Sequence, residues 1–374
     1  MARSVQEASV AAPRGTPVQP VPDRSAADEG DAGLRLHAGE NPYGASPRVL
    51  AVLAAQLGSV HHYPDRPDAD LLAALVRHHQ VAPERIALGN GIDEVILLLV
   101  LALADKGQPT VITGGTFLSY SESLRAARRP FVACPLDGYR QPVDEVAGQL
   151  RRGAPLAFVC NPHNPTGGLL DLAELAVLRD AAAEGGGVLV VDEAYAEYAG
   201  PGFTSAMSSA AEGSGVAVLR TFSKAYGLAG LRIGYLIADS TVTAAVERAR
   251  GALPYSVNRL AQHAALAALA DQRHMREAVA AVAETRERFR TELLAMGLDS
   301  PPSHGNFILV RLGPRAPRTA AHLRALGCLV RDTADMGLPG HLRISIGTPA
   351  QMRRALAALG RAVAATDGRR PEAG

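Results

Sequence analysis

The sequence predicts an α/β protein. A large domain is built on a mostly parallel sheet with helices on both faces, and a smaller α+β domain follows it. Three observations lead there. Short apolar runs alternate with amphipathic stretches of helical period over the first two thirds of the chain, the pattern of βα units. After Pro254 the order changes to two helices, then strands, then a closing helix. The chain has 374 residues, 47% of them hydrophobic, which is enough for a large core and a second, smaller one.

Taken in order, residues 1–33 are rich in Ala, Pro, Ser and Asp without apolar period, and read as a disordered tail. Residues 34–47 form an N-terminal arm, 48–253 the large domain, 254–367 the small domain and 368–374 a second tail. The large-domain strands are Ile86–Leu88, Thr110–Thr113, Phe131–Cys134, Leu156–Cys160, Val188–Asp192, Val216–Thr221 and Ile233–Ile237. Near-continuous apolar runs such as Val188–Val191 fit strands covered on both faces. The run Val95–Ala104, bounded by Glu94 and Asp105, reads as a buried helix and is too short to cross a bilayer. In the small domain the spacing predicts helices over Leu260–Ala270 and about Arg273–Met296. Strands Phe307–Leu312, Cys328–Arg331 and Leu342–Ile346 follow, and a helix comes after Thr348. No internal repeat is visible.

Charge and cysteine content exclude several functions. Lys and Arg number 38 against 37 Asp and Glu, a net charge of +1, which gives no reason to expect nucleic acid or an anionic membrane as partner. The 3 cysteines, Cys134, Cys160 and Cys328, cannot all pair and match no metal spacing. The pairs His61-His62 and His78-His79 point their rings in different directions, so no metal is expected. The first residues lack a basic region followed by an apolar stretch, and a reducing cytoplasm is the expected location.

The chemistry concentrates in three segments. Lys224 stands in Thr221-Phe222-Ser223-Lys224-Ala225-Tyr226-Gly227, with Arg232 eight residues on. A lysine amine forms a Schiff base with an aldehyde, while hydroxyls and a guanidinium hold a phosphate. Pyridoxal 5'-phosphate carries both groups. Asp192 closes the run Val188–Asp192, at the strand end where open α/β sheets bind ligands. An acidic residue there can pair with a protonated pyridine nitrogen, or simply cap the next helix. Tyr195 follows within reach of the ring's phenolic oxygen. The third segment, Cys160-Asn161-Pro162-His163-Asn164-Pro165-Thr166-Gly167, is a strand running into a turn, and Asn164 offers an amide donor for that oxygen. A fourth turn, Gly89-Asn90-Gly91-Ile92-Asp93-Glu94, opens a helix whose free amides suit a phosphate.

With these motifs the chain resembles the fold-type I, pyridoxal-phosphate-dependent aminotransferases of class I/II. Within them it is similar to the histidinol-phosphate aminotransferase branch. The resemblance runs from about Leu34 to about Val363. It is also carried by Glu40-Asn41-Pro42-Tyr43-Gly44, Tyr63-Pro64-Asp65, Pro254-Tyr255-Ser256-Val257-Asn258 and Leu342-Arg343-Ile344-Ser345-Ile346-Gly347-Thr348. It implies that Lys224 binds the cofactor covalently and then shuttles protons, with Asp192 on the pyridine nitrogen. Gly91, Ile92 and Asp93 form one wall of the phosphate site, together with Thr221, Ser223 and Arg232, and Phe117 stacks on the ring. Tyr63 reaches the phosphate of a neighbouring subunit, which makes the active unit a homodimer. Arg343 closes on the substrate's anion, Arg331 adds a second positive charge, and Tyr43 lines the same pocket. The implied reaction is transamination between histidinol phosphate and 2-oxoglutarate.

Alternatives on the same scaffold are an aromatic amino-acid aminotransferase and a decarboxylase of a phosphorylated amino acid. A transcription regulator with an aminotransferase-like sensor would need a DNA-binding domain ahead of residue 34, where the tail is short and polar. The chain departs from the family pattern at Gly39, where asparagine is usual, and at Gly115, where proline is usual. Many relatives also carry tyrosine in place of Phe117.

Overall fold

The computed structural model describes residues 33–64, 69–105 and 107–366. The two predicted tails lie outside the described residues, apart from Gly33, as does Asp65 of the Tyr-Pro-Asp segment.

The elements run β1 (Leu34–Leu36), α1 (Pro47–Gln56), α2 (Ala69–His79), β2 (Ile86–Gly89), α3 (Gly91–Leu103), β3 (Thr110–Thr113), α4 (Leu118–Ala126), β4 (Phe131–Cys134), α5 (Val143–Arg151) and β5 (Leu156–Cys160). They continue with α6 (Leu172–Gly185), β6 (Val188–Asp192), α7 (Met207–Glu212), β7 (Val216–Thr221), β8 (Gly234–Ile237), α8 (Ser240–Arg250), α9 (Arg259–Ala270) and α10 (Gln272–Ala295). The last elements are β9 (Phe307–Arg311), α11 (Ala316–Ala325), β10 (Cys328–Asp332), β11 (His341–Ser345) and α12 (Pro349–Thr366). Every strand read from the sequence is present, five with unchanged bounds and the other five with one or both ends moved by one residue; such ends are set by hydrogen bonding that side-chain patterns do not record.

The large sheet has 7 strands in the order β2-β8-β7-β6-β5-β3-β4. All its pairings are parallel except those of β8, which runs antiparallel to both β2 and β7. Val190, Val191, Val218, Leu219 and Phe158 are fully buried, as a sheet covered on both faces requires. Helix α3 packs on β2, β7 and β8, α5 on β3 and β5, and α6 on β6. The parallel strands therefore end together: Thr113, Cys160, Asp192 and Thr221 are last residues of neighbouring strands.

A second sheet of 4 strands has the order β1-β10-β11-β9. Its outer strand, β1, comes from the N-terminal segment and pairs in parallel with β10, Leu34 opposite Cys328. Helices α11 and α12 pack on each other, α11 also against β10 and β11, and α10 against β9. Two of the resemblance segments have local structural roles. Asn258 caps α9, its Oδ1 accepting from the Ala261 N–H at 2.8 Å. The turn after β5 contains two cis peptide bonds, Asn161–Pro162 and Asn164–Pro165.

Candidate active site

One pocket lies at the common ends of the parallel strands. It is lined by Ile92, Asp93, Phe117, Asn164, Asp192, Tyr195, Thr221, Ser223, Lys224, Arg232 and Arg343, with Ala38, Cys160 and Ala194. Residues from eight separate stretches of sequence thus meet where the sheet topology places ligands.

Lys224 follows β7 by three residues. Its Nζ donates to the carbonyls of Ala38 at 3.0 Å and Gly39 at 3.2 Å, and stands 5.5 Å from the centre of the Tyr195 ring. Burial, with Arg343 and Arg232 nearby, lowers its pKa from the ordinary lysine value to about 8. A substantial fraction of the amine is then neutral near physiological pH, as a nucleophile or base requires.

Asp192 ends β6 and is 2% exposed. Its Oδ2 accepts from the Tyr120 hydroxyl at 2.7 Å and its Oδ1 from the Ala194 N–H at 3.0 Å. One oxygen therefore does serve a local turn, the role a capping aspartate would have, while the carboxylate still faces the pocket. Burial raises its pKa to about 6, and the two donors oppose that rise. The next residue, Glu193, is fully buried and pairs with Arg220 at 2.7 Å, and it also accepts from the Ala206 N–H at 2.6 Å. This paired charge pins the strand end beneath the pocket.

Asn164 and Arg343 meet directly. The Arg343 Nη1 donates to Asn164 Oδ1 at 2.6 Å, its Nη2 donates to the His37 carbonyl at 2.8 Å, and its Cζ lies 5.3 Å from the centre of the Phe307 ring. A guanidinium only donates, so Asn164 must offer it oxygen, and the amide NH₂ is left for another acceptor. Tyr195 stands edge-on to Phe307 at 5.0 Å. Burial pushes its hydroxyl well above the usual tyrosine range, so it remains a donor.

The opposite end suits a phosphate. Arg232 pairs with Asp93 at 2.6 Å, and its Nη1 donates to Ser223 Oγ at 3.4 Å. Thr221 Oγ1 accepts from the Ser223 N–H at 3.0 Å. Gly91 begins α3 beside this arginine, and a Cβ there would collide with the guanidinium. The first N–H groups of α3 have no partner within the helix. Two hydroxyls, a guanidinium, helix-terminal amides and a buried carboxylate at the other end together fit the donor set that pyridoxal phosphate needs.

Three sequence candidates lie apart from this pocket. Tyr63 is 77% exposed and stacks on Tyr255 at 4.7 Å, along a cleft shared with Val60, Pro254 and Arg259. Tyr43 borders α10, where burial, and then the charge of Glu284, raise its pKa. Arg331 forms an ion pair with Asp335. Gly115 has φ +57°, which a proline ring cannot reach, so the departure from the family's usual proline goes with a different local backbone.

Some members of the site carry no recognisable sequence signal. Tyr120 is fully buried in α4 and stacks on Phe158 at 4.9 Å, so in sequence it is indistinguishable from a core aromatic. Asn306 lies in the short polar segment Ser303-His304-Gly305-Asn306 before β9, where nothing sets it apart, yet its Nδ2 donates to the Gly39 carbonyl at 2.9 Å.

The family model for aminotransferase class I and II matches residues 32–359. The histidinol-phosphate aminotransferase of Halorubrum lacusprofundi is 37% identical over 336 residues, covering 88% of this chain and 89% of that one. The aromatic amino acid aminotransferase of Thermobifida fusca is also 37% identical, over 88% of this chain and 90% of its own. Among solved structures, the histidinol-phosphate aminotransferase of Sinorhizobium meliloti in complex with pyridoxal-5'-phosphate superposes with a TM-score of 0.82. It is 30% identical and covers 89% of this chain and 91% of that one.

Proposed function

The chain belongs to the aminotransferase class I and II family and is a pyridoxal-phosphate enzyme, and from that premise we propose that it transfers the amino group of histidinol phosphate to 2-oxoglutarate. The observation that carries the substrate reading is Arg343, a guanidinium buried in the same pocket as Lys224. With Nη1 and Nη2 held by Asn164 and the His37 carbonyl, it is fixed before any anion arrives.

When bound, pyridoxal phosphate would supply an aldehyde for the substrate's amino group and a ring able to delocalise the electrons left at the α carbon. The protein's own groups do the rest. Lys224 Nζ takes the proton from the substrate's α carbon and returns one on the other side of the transferring nitrogen. Asp192, ionised at neutral pH with its pKa of about 6, keeps a proton on the pyridine nitrogen. Asn164 NH₂ and the Tyr195 hydroxyl would donate to the phenolic oxygen. Arg232, Ser223, Thr221 and the amides of Gly91, Ile92 and Asp93 would hold the phosphate. Arg343 orients the substrate's anion.

The second reading, an aromatic amino-acid aminotransferase, is favoured by the Arg331–Asp335 pair. Asp335 neutralises the second cation, leaving one guanidinium for a carboxylate. It also stands with Phe117 along a neighbouring cleft lined by Phe131, Leu136 and Met336, apolar surface that suits a ring. A coupled assay of amino donors with 2-oxoglutarate decides. Histidinol phosphate should give the highest kcat/KM; if phenylalanine or tyrosine exceeds it, the aromatic reading replaces the first. Asp335→Asn should raise the ratio of histidinol phosphate to phenylalanine kcat/KM about two- to five-fold, the worth of one exposed ion pair of roughly 0.5–1 kcal/mol.

The assembly reading is a two-fold dimer. Tyr63, Val60 and Leu57 are exposed, as are Tyr255 and Leu253 in the segment that Tyr63 stacks against, and a partner subunit would cover such apolar surface. Light scattering should report twice the 39.0 kDa chain mass. Tyr63→Phe should weaken cofactor binding by about 1.5–3 kcal/mol, one hydrogen bond to a charged group. A fully active monomer would refute the arrangement. The cytoplasmic reading is supported by the three cysteines, all buried and free. No helix among the described residues is long and apolar enough to cross a membrane.

A further inference from the structure

The Lys224 amine hydrogen-bonds to backbone: its two acceptors are the carbonyls of Ala38 and Gly39. These belong to the arm between β1 and α1, which has no regular structure of its own at that point. The second sheet holds the arm in place. Asn306 Nδ2 donates to the Gly39 carbonyl at 2.9 Å and to the Glu40 carbonyl at 3.4 Å. The Gly39 N–H donates to Ser345 Oγ at 2.8 Å. Asn306 is fully buried and Ser345 is 2% exposed. The two come from adjoining positions: Asn306 precedes Phe307, which is paired with Ser345 across β9 and β11.

Gly39 is therefore gripped at both its N–H and its carbonyl, and its φ of +65° lets both reach their partners. A Cβ on Gly39 would lie 3.1 Å from Lys224 Nζ, so the arm approaches the amine as closely as a residue without a side chain allows. The Gly39 carbonyl accepts two donors at once, Asn306 Nδ2 and Lys224 Nζ, which places asparagine and lysine on one oxygen.

We infer that Asn306 and Ser345 are positioning residues for Lys224, holding the Ala38 and Gly39 carbonyls where they receive its amine whenever that amine is not covalently engaged. This rests on the reading of Lys224 as the reactive amine. A transaminating lysine is released in every cycle and must wait in one place, aimed at the α carbon. A flexible four-carbon side chain does not do that unaided. Carbonyl acceptors also favour the protonated amine. They act against burial and the guanidinium groups of Arg343 and Arg232, while Asp93, Glu40 and Asp192 face the amine with negative charge. Loosening the carbonyls should spread the amine over more positions and make it release its proton at lower pH.

The experiment compares the wild-type holoenzyme with Asn306→Ala, Ser345→Ala and Ser345→Thr. Borohydride reduction and peptide mapping come first. A label away from Lys224 in the wild type defeats the reading of the lysine itself and is separate from this inference. With the label on Lys224, Asn306→Ala should lower kcat ten- to hundred-fold while leaving KM for the amino donor within three-fold. The acid limb of the kcat–pH profile should move to lower pH by about half a unit or more. Ser345→Ala should do the same to a smaller extent, and Ser345→Thr, which keeps the hydroxyl, should restore the wild-type profile. An unmoved limb overturns the inference, whether kcat is unchanged or falls together with Tm and cofactor occupancy, because a merely structural role would produce that. If Asn306→Ala does not fold, the Ser345 pair is judged by the same criteria.

Discussion

Lys224→Ala should abolish transamination, lowering kcat by at least several orders of magnitude. Two functions leave with one amine. The proton transfer alone is worth roughly 10²–10⁴-fold, and the covalent route to the substrate is lost besides. The variant should still take up cofactor, since Arg232, Ser223, Thr221 and the start of α3 are untouched. Equilibrium dialysis should therefore show bound pyridoxal phosphate, while borohydride should fix none of it to the chain. In the wild type the fixed label should map to the peptide containing Lys224. A label on another lysine, or a variant within ten-fold of wild-type turnover, would sink the assignment.

Arg343→Ala should be the next largest loss. The guanidinium is buried and held by Asn164 and the His37 carbonyl, so truncation leaves those acceptors without a donor as well as the substrate's anion without a cation. Losing a buried charged partner is worth roughly 2–5 kcal/mol, which is about thirty- to several-thousand-fold in kcat/KM for histidinol phosphate. Arg331→Ala should weaken the same substrate less, because its guanidinium is partly exposed and shared with Asp335. Histidinol lacking its phosphate should be a poor substrate for the wild type and should lose little further in Arg343→Ala. A variant that keeps wild-type kcat/KM for histidinol phosphate would show that the anion binds elsewhere.

What could be read from the sequence follows the physics of the elements. The strands of the large sheet were legible because burial on both faces leaves near-continuous apolar runs, as in Val188–Val191. Once the strands were placed, Asp192, Thr221 and Asn164 followed, since residues at or just past parallel strand ends share one edge. Lys224 and Arg232 were legible through the hydroxyls and glycines around them. Tyr120 was not, because a buried hydroxyl looks like any core aromatic until its partner across the sheet is known. Nor was the role of the arm. Ala38 and Gly39 contribute only backbone, and side-chain patterns say nothing about which carbonyl a distant lysine will meet. That Arg331 is a paired surface arginine was an open alternative in the sequence; which carboxylate pairs with it was not legible, because a charge four residues away is common and only geometry names Asp335.

The parallel pairing of Leu34 with Cys328 has a consequence for the order in which the enzyme is completed. The first strand leaves the ribosome 294 residues before its partner (328 − 34), and at about 5–20 residues per second that is roughly 15–60 s of waiting. During that interval the arm has no β10 to pair with, and Ser345, which accepts from the Gly39 N–H, has not yet been made. A nascent chain can close its large sheet early, yet it cannot assemble its reactive centre until β10 and β11 have been translated. A chain truncated before β10 should therefore be inert even where its large sheet has formed. Full-length chains refolding from denaturant should regain sheet signal before they regain turnover.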